Sequence, residues 1–266
     1  MLGKLLKYDF KAVSKLLAII NGAVLVCAIA GALFVPFISR MGFTENTLAV
    51  IWVLAFVFFM ILFMASSFAT YITLASRFYK NLFSNEGFVS RTLPVTSSMH
   101  LLSKTIMGFT WALINSVVLF ASLGLLLFVP DIKEDLPSLG YYLSELGYSN
   151  MQKFIFDLIT FGIMFLLSIL SGVLMIYCSI ALGQLMSSTH KILASVAMYF
   201  VLSTVISLFS TAITIPTMFK TEVAFENPSY VQIMDPIAFY TSIMSLILAI
   251  IMYLITDYIM RKKVNL

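Results

Sequence analysis

The sequence predicts an all-α membrane protein with six transmembrane helices. Composition is 61% hydrophobic and only 11% charged, mean hydropathy is +1.03, and the apolar positions gather into six long runs. A soluble domain carries about a quarter charged residues. Crossing roughly 30 Å of hydrocarbon takes about 20 mostly apolar residues, and each run supplies them. The 266 residues hold little besides those runs, which predicts one membrane domain over 1–266 and no soluble domain within it. The formal charge of +4 resides in the flanks of the runs. No basic cluster interleaves with loop aromatics, so no nucleic-acid partner is expected.

Residues 1–15 come first. Lys4, Lys7, Lys11 and Lys15 share one helical face, and Leu2, Leu5, Leu6, Phe10 and Val13 occupy the other. This pattern predicts an interfacial elbow helix on the inner leaflet, its lysines towards lipid headgroups. The alternative is the basic start of a signal peptide. The run from Leu16 to Ser39 is too long for that, and no small-x-small cleavage site precedes Arg40.

The spans are expected at about 16–39, 48–76, 105–129, 154–185, 191–215 and 237–259. A short outer loop with Arg40 and Glu45 joins the first two. The third ends at Pro130, before an acidic outer segment from Asp131 to Gln152. A tight inner turn, Ser187 to Lys191, joins the fourth and fifth. The last outer loop is expected from Pro216 to Pro236, with three prolines to break helices. Twelve Lys and Arg fall on the side of both termini against four (Arg40, Lys133, Lys153, Lys220) on the other. Cytoplasmic loops carry the excess of basic residues, so both termini are expected inside the cell, with the body in the plasma membrane.

The segment from Arg77 to Lys104 is the most informative polar interruption, with four basic residues against Glu86. Glu86-Gly87 opens a short amphipathic piece with Phe88, Val89 and Leu93, and Pro94 stops it. Thr96, Ser97 or Ser98 then caps a new helix. A short helix across the cytoplasmic ends of two spans is a docking surface.

Chemistry of other kinds is missing from the sequence. There is no phosphate-binding G-x-x-x-x-G-K-[ST] loop and no H-E-x-x-H. His100 and His190 stand alone at cytoplasmic edges. Cys27 and Cys178 lie inside apolar runs and read as small buried hydrophobes. Gly147-Tyr-Ser149-Asn150 imitates a serine-protease site but sits in a loop, with no histidine in any span to act as base. The spans are nearly free of ionisable residues. Asp157 and Asp257 lie near span ends, where snorkelling or capping suffices. Asn21, Asn115 and Gln184 read as interhelical hydrogen-bonding residues. No catalytic, cofactor-binding or metal-binding residue is expected, and neither is an enzymatic activity of the chain itself.

Small residues repeat every four positions at Ala23, Cys27 and Gly31 and again at Ser203, Ser207 and Thr211. Such faces let helices approach closely, either within one subunit or across a seam between two. The second span holds Phe56, Phe59 and Phe63 among other Phe and Met residues. They face lipid or form a pliable wall for an apolar substrate.

The segment Asn85-Glu86-Gly87, then Arg91-Thr92-Leu93-Pro94-Val95-Thr96, then Leu101-Leu102-Ser103-Lys104 resembles the loop between the second and third spans of ABC-2 type exporter permeases. It is a shortened version, with Ser103 where that family commonly has glycine. The basic first helix, the six-span plan and the fourth-span exit through Gly183 and Gln184 are similar too. The resemblance implies a permease of two membrane subunits, identical or different, driven by separate ATPase subunits that hold ATP and Mg. It implies a coupling helix, with Phe83, Ser84, Asn85, Glu86, Gly87, Phe88, Arg91 and Leu93 against the ATPase. It further implies that the first, second and fifth spans face the partner subunit and line the path. Ala23, Cys27, Gly31, Phe56, Phe59, Phe63, Ser203, Ser207 and Thr211 would serve there. The expected function is export of amphipathic or antimicrobial peptides, as by phenol-soluble modulin exporters, or of other hydrophobic molecules. The alternatives are an ion- or proton-coupled carrier, an intramembrane enzyme, or a non-transporting immunity or anchoring protein.

Overall fold

The computed structural model describes residues 2–39, 41, 45–84, 96–128, 148, 151–187, 189–224 and 230–262. They form six helices: α1 (Leu2–Ser39), α2 (Glu45–Phe83), α3 (Ser97–Phe128), α4 (Met151–Met186), α5 (Lys191–Ala224) and α6 (Tyr230–Lys262). Each is long and apolar enough to cross a membrane, and no strand occurs among the described residues. The predicted spans fall one to a helix, apart from Val129 at the end of the third, which lies outside the described residues.

The helices overrun the spans. At 1.5 Å per residue, the 39 residues of α2 reach about 58 Å, nearly twice the hydrocarbon thickness. An elbow at 1–15 separate from the first span is not seen, because α1 runs unbroken from Leu2 to Ser39. Neither proline nor a run of glycines interrupts the chain near Lys15. Val13 and Leu17 also continue one buried stripe across the expected break. The four lysines are exposed on the other side, as the helical wheel predicts.

The expected loop from Pro216 to Pro236 is largely helical too. Pro216 lies inside α5 and Pro236 inside α6. A proline removes one helical hydrogen bond, here from the Ala212 carbonyl in α5 and the Gln232 carbonyl in α6, a loss that membrane helices tolerate. Thr217 Oγ1 donates to the Ile213 carbonyl at 2.7 Å and Thr221 Oγ1 to the Thr217 carbonyl at 2.9 Å.

Two compact units make up the chain: Met1–Arg77 with Ile106–Leu136, and Phe78–Thr105 with Pro137–Leu266. In the first, α1, α2 and α3 pack in two apolar layers. Val13, Leu17, Leu74, Met107 and Trp111 form one, and Val24, Ala28, Phe59 and Leu119 the other. Between them in sequence on every helix sits a polar layer. Asn115 Nδ2 donates to Asn21 Oδ1 at 3.0 Å and to Ser66 Oγ at 2.9 Å, and Asn21 Nδ2 donates to the Leu17 carbonyl at 2.8 Å. The interhelical role read for Asn21 and Asn115 is thus observed.

In the second unit α4 packs against both α5 and α6. Leu174 and Cys178 meet Ala249 and Met252, with Leu202 and Ile206 of α5 alongside. Gly183 permits the close approach of α4 to α5: a Cβ there would lie 2.5 Å from the Ser195 backbone nitrogen and Cα. Ser195 Oγ donates to the Lys191 carbonyl at 2.8 Å, and Gln184 Nε2 reaches Ser195 Oγ at 3.5 Å.

Candidate functional site

The end of the second unit where α2 finishes and α3 begins gathers more buried polar and aromatic side chains than its apolar surroundings require. Phe78, Leu82 and Phe83, the last turns of α2, are all buried. Phe78 stacks on Tyr177 of α4, with ring centroids 4.1 Å apart and planes 10° from parallel, and meets Phe83 at 5.8 Å. Tyr177 is fully buried. Its hydroxyl donates to the Lys104 carbonyl of α3 at 3.2 Å. A buried phenol needs such a partner, since an unpaired hydroxyl in an apolar site costs about 1–3 kcal/mol. One side chain therefore joins the exit of α2 and the entry of α3 to α4.

A second fastening joins α3 to α6. Thr96 caps α3: its carbonyl accepts from the Met99 and His100 amides at 3.0 and 3.2 Å, and its Oγ1 stands 3.4 Å from the Met99 nitrogen. Of the three candidate caps in the sequence, Thr96 is the one used, which leaves Ser98 available elsewhere. Ser98 Oγ donates to Asp257 Oδ1 at 2.8 Å, and Arg261 donates through Nη2 to Ser98 Oγ. Arg261 also pairs with Asp257 at 2.9 Å, one helical turn away. The Asp257 side chain is 15% exposed, so the pair is partly shielded from water. An ion pair of that kind is worth more than a fully solvated one.

These contacts hold both flanks of the segment 85–95 on the α4 and α6 framework. Closely packed side chains do not deform continuously. No protein family, curated protein or solved structure matches the chain. The reading of this end of the molecule therefore rests on its own geometry.

Of the residues expected against an ATPase, Phe83 is buried, and Ser84 is half-buried just past the end of α2. Asn85, Glu86, Gly87, Phe88, Arg91 and Leu93 lie outside the described residues, and so does the expected coupling helix. Of the residues expected at a seam or path, Phe59 is buried in the first unit, with Phe63 packed against the same cluster. Ala23 and Phe56 are exposed, and Cys27 and Gly31 are half-buried. On α5, Ser203 is half-buried, with its hydroxyl given to the Phe200 carbonyl at 2.9 Å, and Ser207 and Thr211 are exposed. The α1 face lies in the first unit and the α5 face in the second.

Sequence reasoning passed over Tyr177, read Ser98 only as a candidate cap and gave Asp157 no burial. The Asp257–Arg261 spacing of four was readable as a helical ion pair. The distant partner Ser98 was not. Asp157, read as snorkelling or capping, is only 3% exposed, and its Oδ2 has no hydrogen-bond partner among the described residues. The charges acting on it are Asp235 of α6 and Lys153 of α4. Lys153 Nζ lies 3.6 Å from Asp235 Oδ2.

Proposed function

We propose that this chain is the membrane subunit of an ATP-driven exporter of the ABC-2 type, working as a dimer with separate ATPase subunits in the plasma membrane. The observation that carries the reading is the fastening of both 85–95 flanks, with Phe78 of α2 and Lys104 of α3 both held by Tyr177, and α3 held again through Ser98–Asp257–Arg261. A docking segment transmits force only if its flanks are gripped by the helices that must move. The loop resemblance supplies the partner: a cytosolic ATPase seated on that segment. Its cargo would be amphipathic peptides or other hydrophobic molecules, suited to helices rich in Phe and Met.

The test is co-purification and coupling. The chain is expected to purify with a cytosolic ATPase. Glu86→Ala or Phe88→Ala should leave membrane insertion intact while hydrolysis no longer drives export. Unchanged export in both variants counts against the reading.

One observation favours a second reading, an ion- or proton-coupled carrier. An ionisable side chain buried within a span marks ion pathways in many membrane proteins, and Asp157 is such a residue. Transport that persists without ATP, stops with an uncoupler and is lost in Asp157→Asn would select it.

A further inference from the structure

A cavity of about 570 Å³ opens between α5 and α6 in the second unit. Its wall includes Ala212, Pro216 and Lys220 of α5 and Gln232, Pro236 and Tyr240 of α6. The two helix-interior prolines thus face the same space. Each lacks the N–H that would serve the residue four positions earlier, and those residues, Ala212 and Gln232, line the cavity as well.

Depth follows from the helix rise. Counting 1.5 Å per residue from Lys191, Pro216 stands about 38 Å along α5 and Lys220 about 44 Å. Counting back from Lys262, Pro236 stands about 39 Å along α6 and Gln232 about 45 Å. Hydrocarbon is roughly 30 Å thick, and the whole bilayer with headgroups about 40–45 Å. With Lys191 and Lys262 at one surface, Lys220 and Gln232 reach the headgroup layer of the other. Tyr240, about 33 Å from Lys262, marks the boundary below it, where tyrosine is favoured.

Charge selects the occupant. Among the described residues lining the groove Lys220 is the charged one, and Tyr240 offers a phenolic donor deeper in it. Asp235, next to Pro236, is absent from the wall and pairs with Lys153 on α4. The Thr217 and Thr221 hydroxyls already donate to backbone carbonyls. A cation at headgroup depth with a neutral donor below it calls for an anion joined to uncharged acceptors. The exposed Phe209, Ile243 and Ile247 lie towards the hydrocarbon on the same two helices and suit apolar chains attached to that anion.

We propose that this groove binds the phosphodiester headgroup of a membrane phospholipid, with the phosphate on Lys220, the glycerol esters below it accepting from Tyr240, and the acyl chains along α5 and α6. The lipid staples α5, the least buried of the six helices, to α6.

The full chain in detergent, titrated with phosphatidylglycerol and followed by native mass spectrometry, tests this directly. A one-lipid adduct is expected. Lys220→Glu should weaken it about tenfold or more, the loss of one charge-assisted hydrogen bond to phosphate. Tyr240→Leu should weaken it as well, and Lys191→Glu, at the other end, should not. Lys220 is exposed, so an unchanged thermal unfolding midpoint in lipid-free detergent will show that its variant folds. Inorganic phosphate in excess should leave the adduct in place. Equal lipid retention by wild type and Lys220→Glu overturns the site, and displacement by inorganic phosphate overturns the lipid as its occupant. Neither measurement involves an ATPase or transport, so the outcome is independent of the exporter reading.

Discussion

Asn115 holds three helices with one amide. Its two N–H groups serve Asn21 on α1 and Ser66 on α2. Interhelical hydrogen bonds in membrane proteins contribute roughly 0.6–1.7 kcal/mol, so Asn115→Leu should cost about 1–2 kcal/mol, read as a lower unfolding midpoint in detergent. In a double-mutant cycle with Asn21→Leu the two losses should add to less than their sum, because each removes the same bond. Additive losses would show that the bond contributes nothing measurable. Gly183 acts through what it lacks. A methyl group there meets Ser195 backbone atoms, which cannot swing aside, so Gly183→Ala should cost about 1–3 kcal/mol and part α4 from α5. Ser195→Ala should not rescue it; a cysteine pair placed across the two helices would report the separation. Asn21 and Asn115 were recognisable in the sequence because amides are rare in apolar runs. Gly183 was not: a glycine looks the same whether or not a neighbour touches it.

At the scale of elements, the entry of α3 is pinned twice. Asp257→Asn removes the charge that holds Ser98 and Arg261, and Tyr177→Phe keeps the ring stack with Phe78 while losing the bond to the Lys104 carbonyl. Each change should speed amide exchange in residues 97–104 and leave exchange in α1 unaltered. High salt should weaken the first fastening, through the 59% exposed Arg261 side chain, and spare the second. Exchange unaffected by Asp257→Asn would mean that the helix start is held by its apolar contacts alone. The six helices were legible from apolar runs, as was a cap among Thr96 to Ser98. Their ends were less so. Helix formation continues past the hydrocarbon wherever a packed stripe such as Val13–Leu17 makes it favourable, and local propensity does not register such packing.

At the scale of the molecule, large apolar side chains such as Leu33, Leu54, Phe58, Phe200 and Phe209 are mostly exposed along the helices. A soluble monomer rarely shows apolar patches of that extent, and lipid is the solvent that tolerates them. The excess of Lys and Arg on the side of Lys4, Arg77 and Arg261 predicts that a reporter fused after Leu266 is cytoplasmic. A reporter found outside would reverse the orientation and remove the 85–95 segment from the reach of any cytosolic ATPase. The sequence by itself determined that the chain suits a membrane, that it holds six helices long and apolar enough to cross one, and that one polar segment stands apart, since hydropathy and charge are summed along the chain. Only the tertiary structure decided that Tyr177 and Asp257 grip the flanks of that segment, that Asp157 is buried, and that Pro216 and Pro236 face one groove. Those facts depend on which residues meet across distances of up to 163 positions, and no local pattern encodes such a meeting.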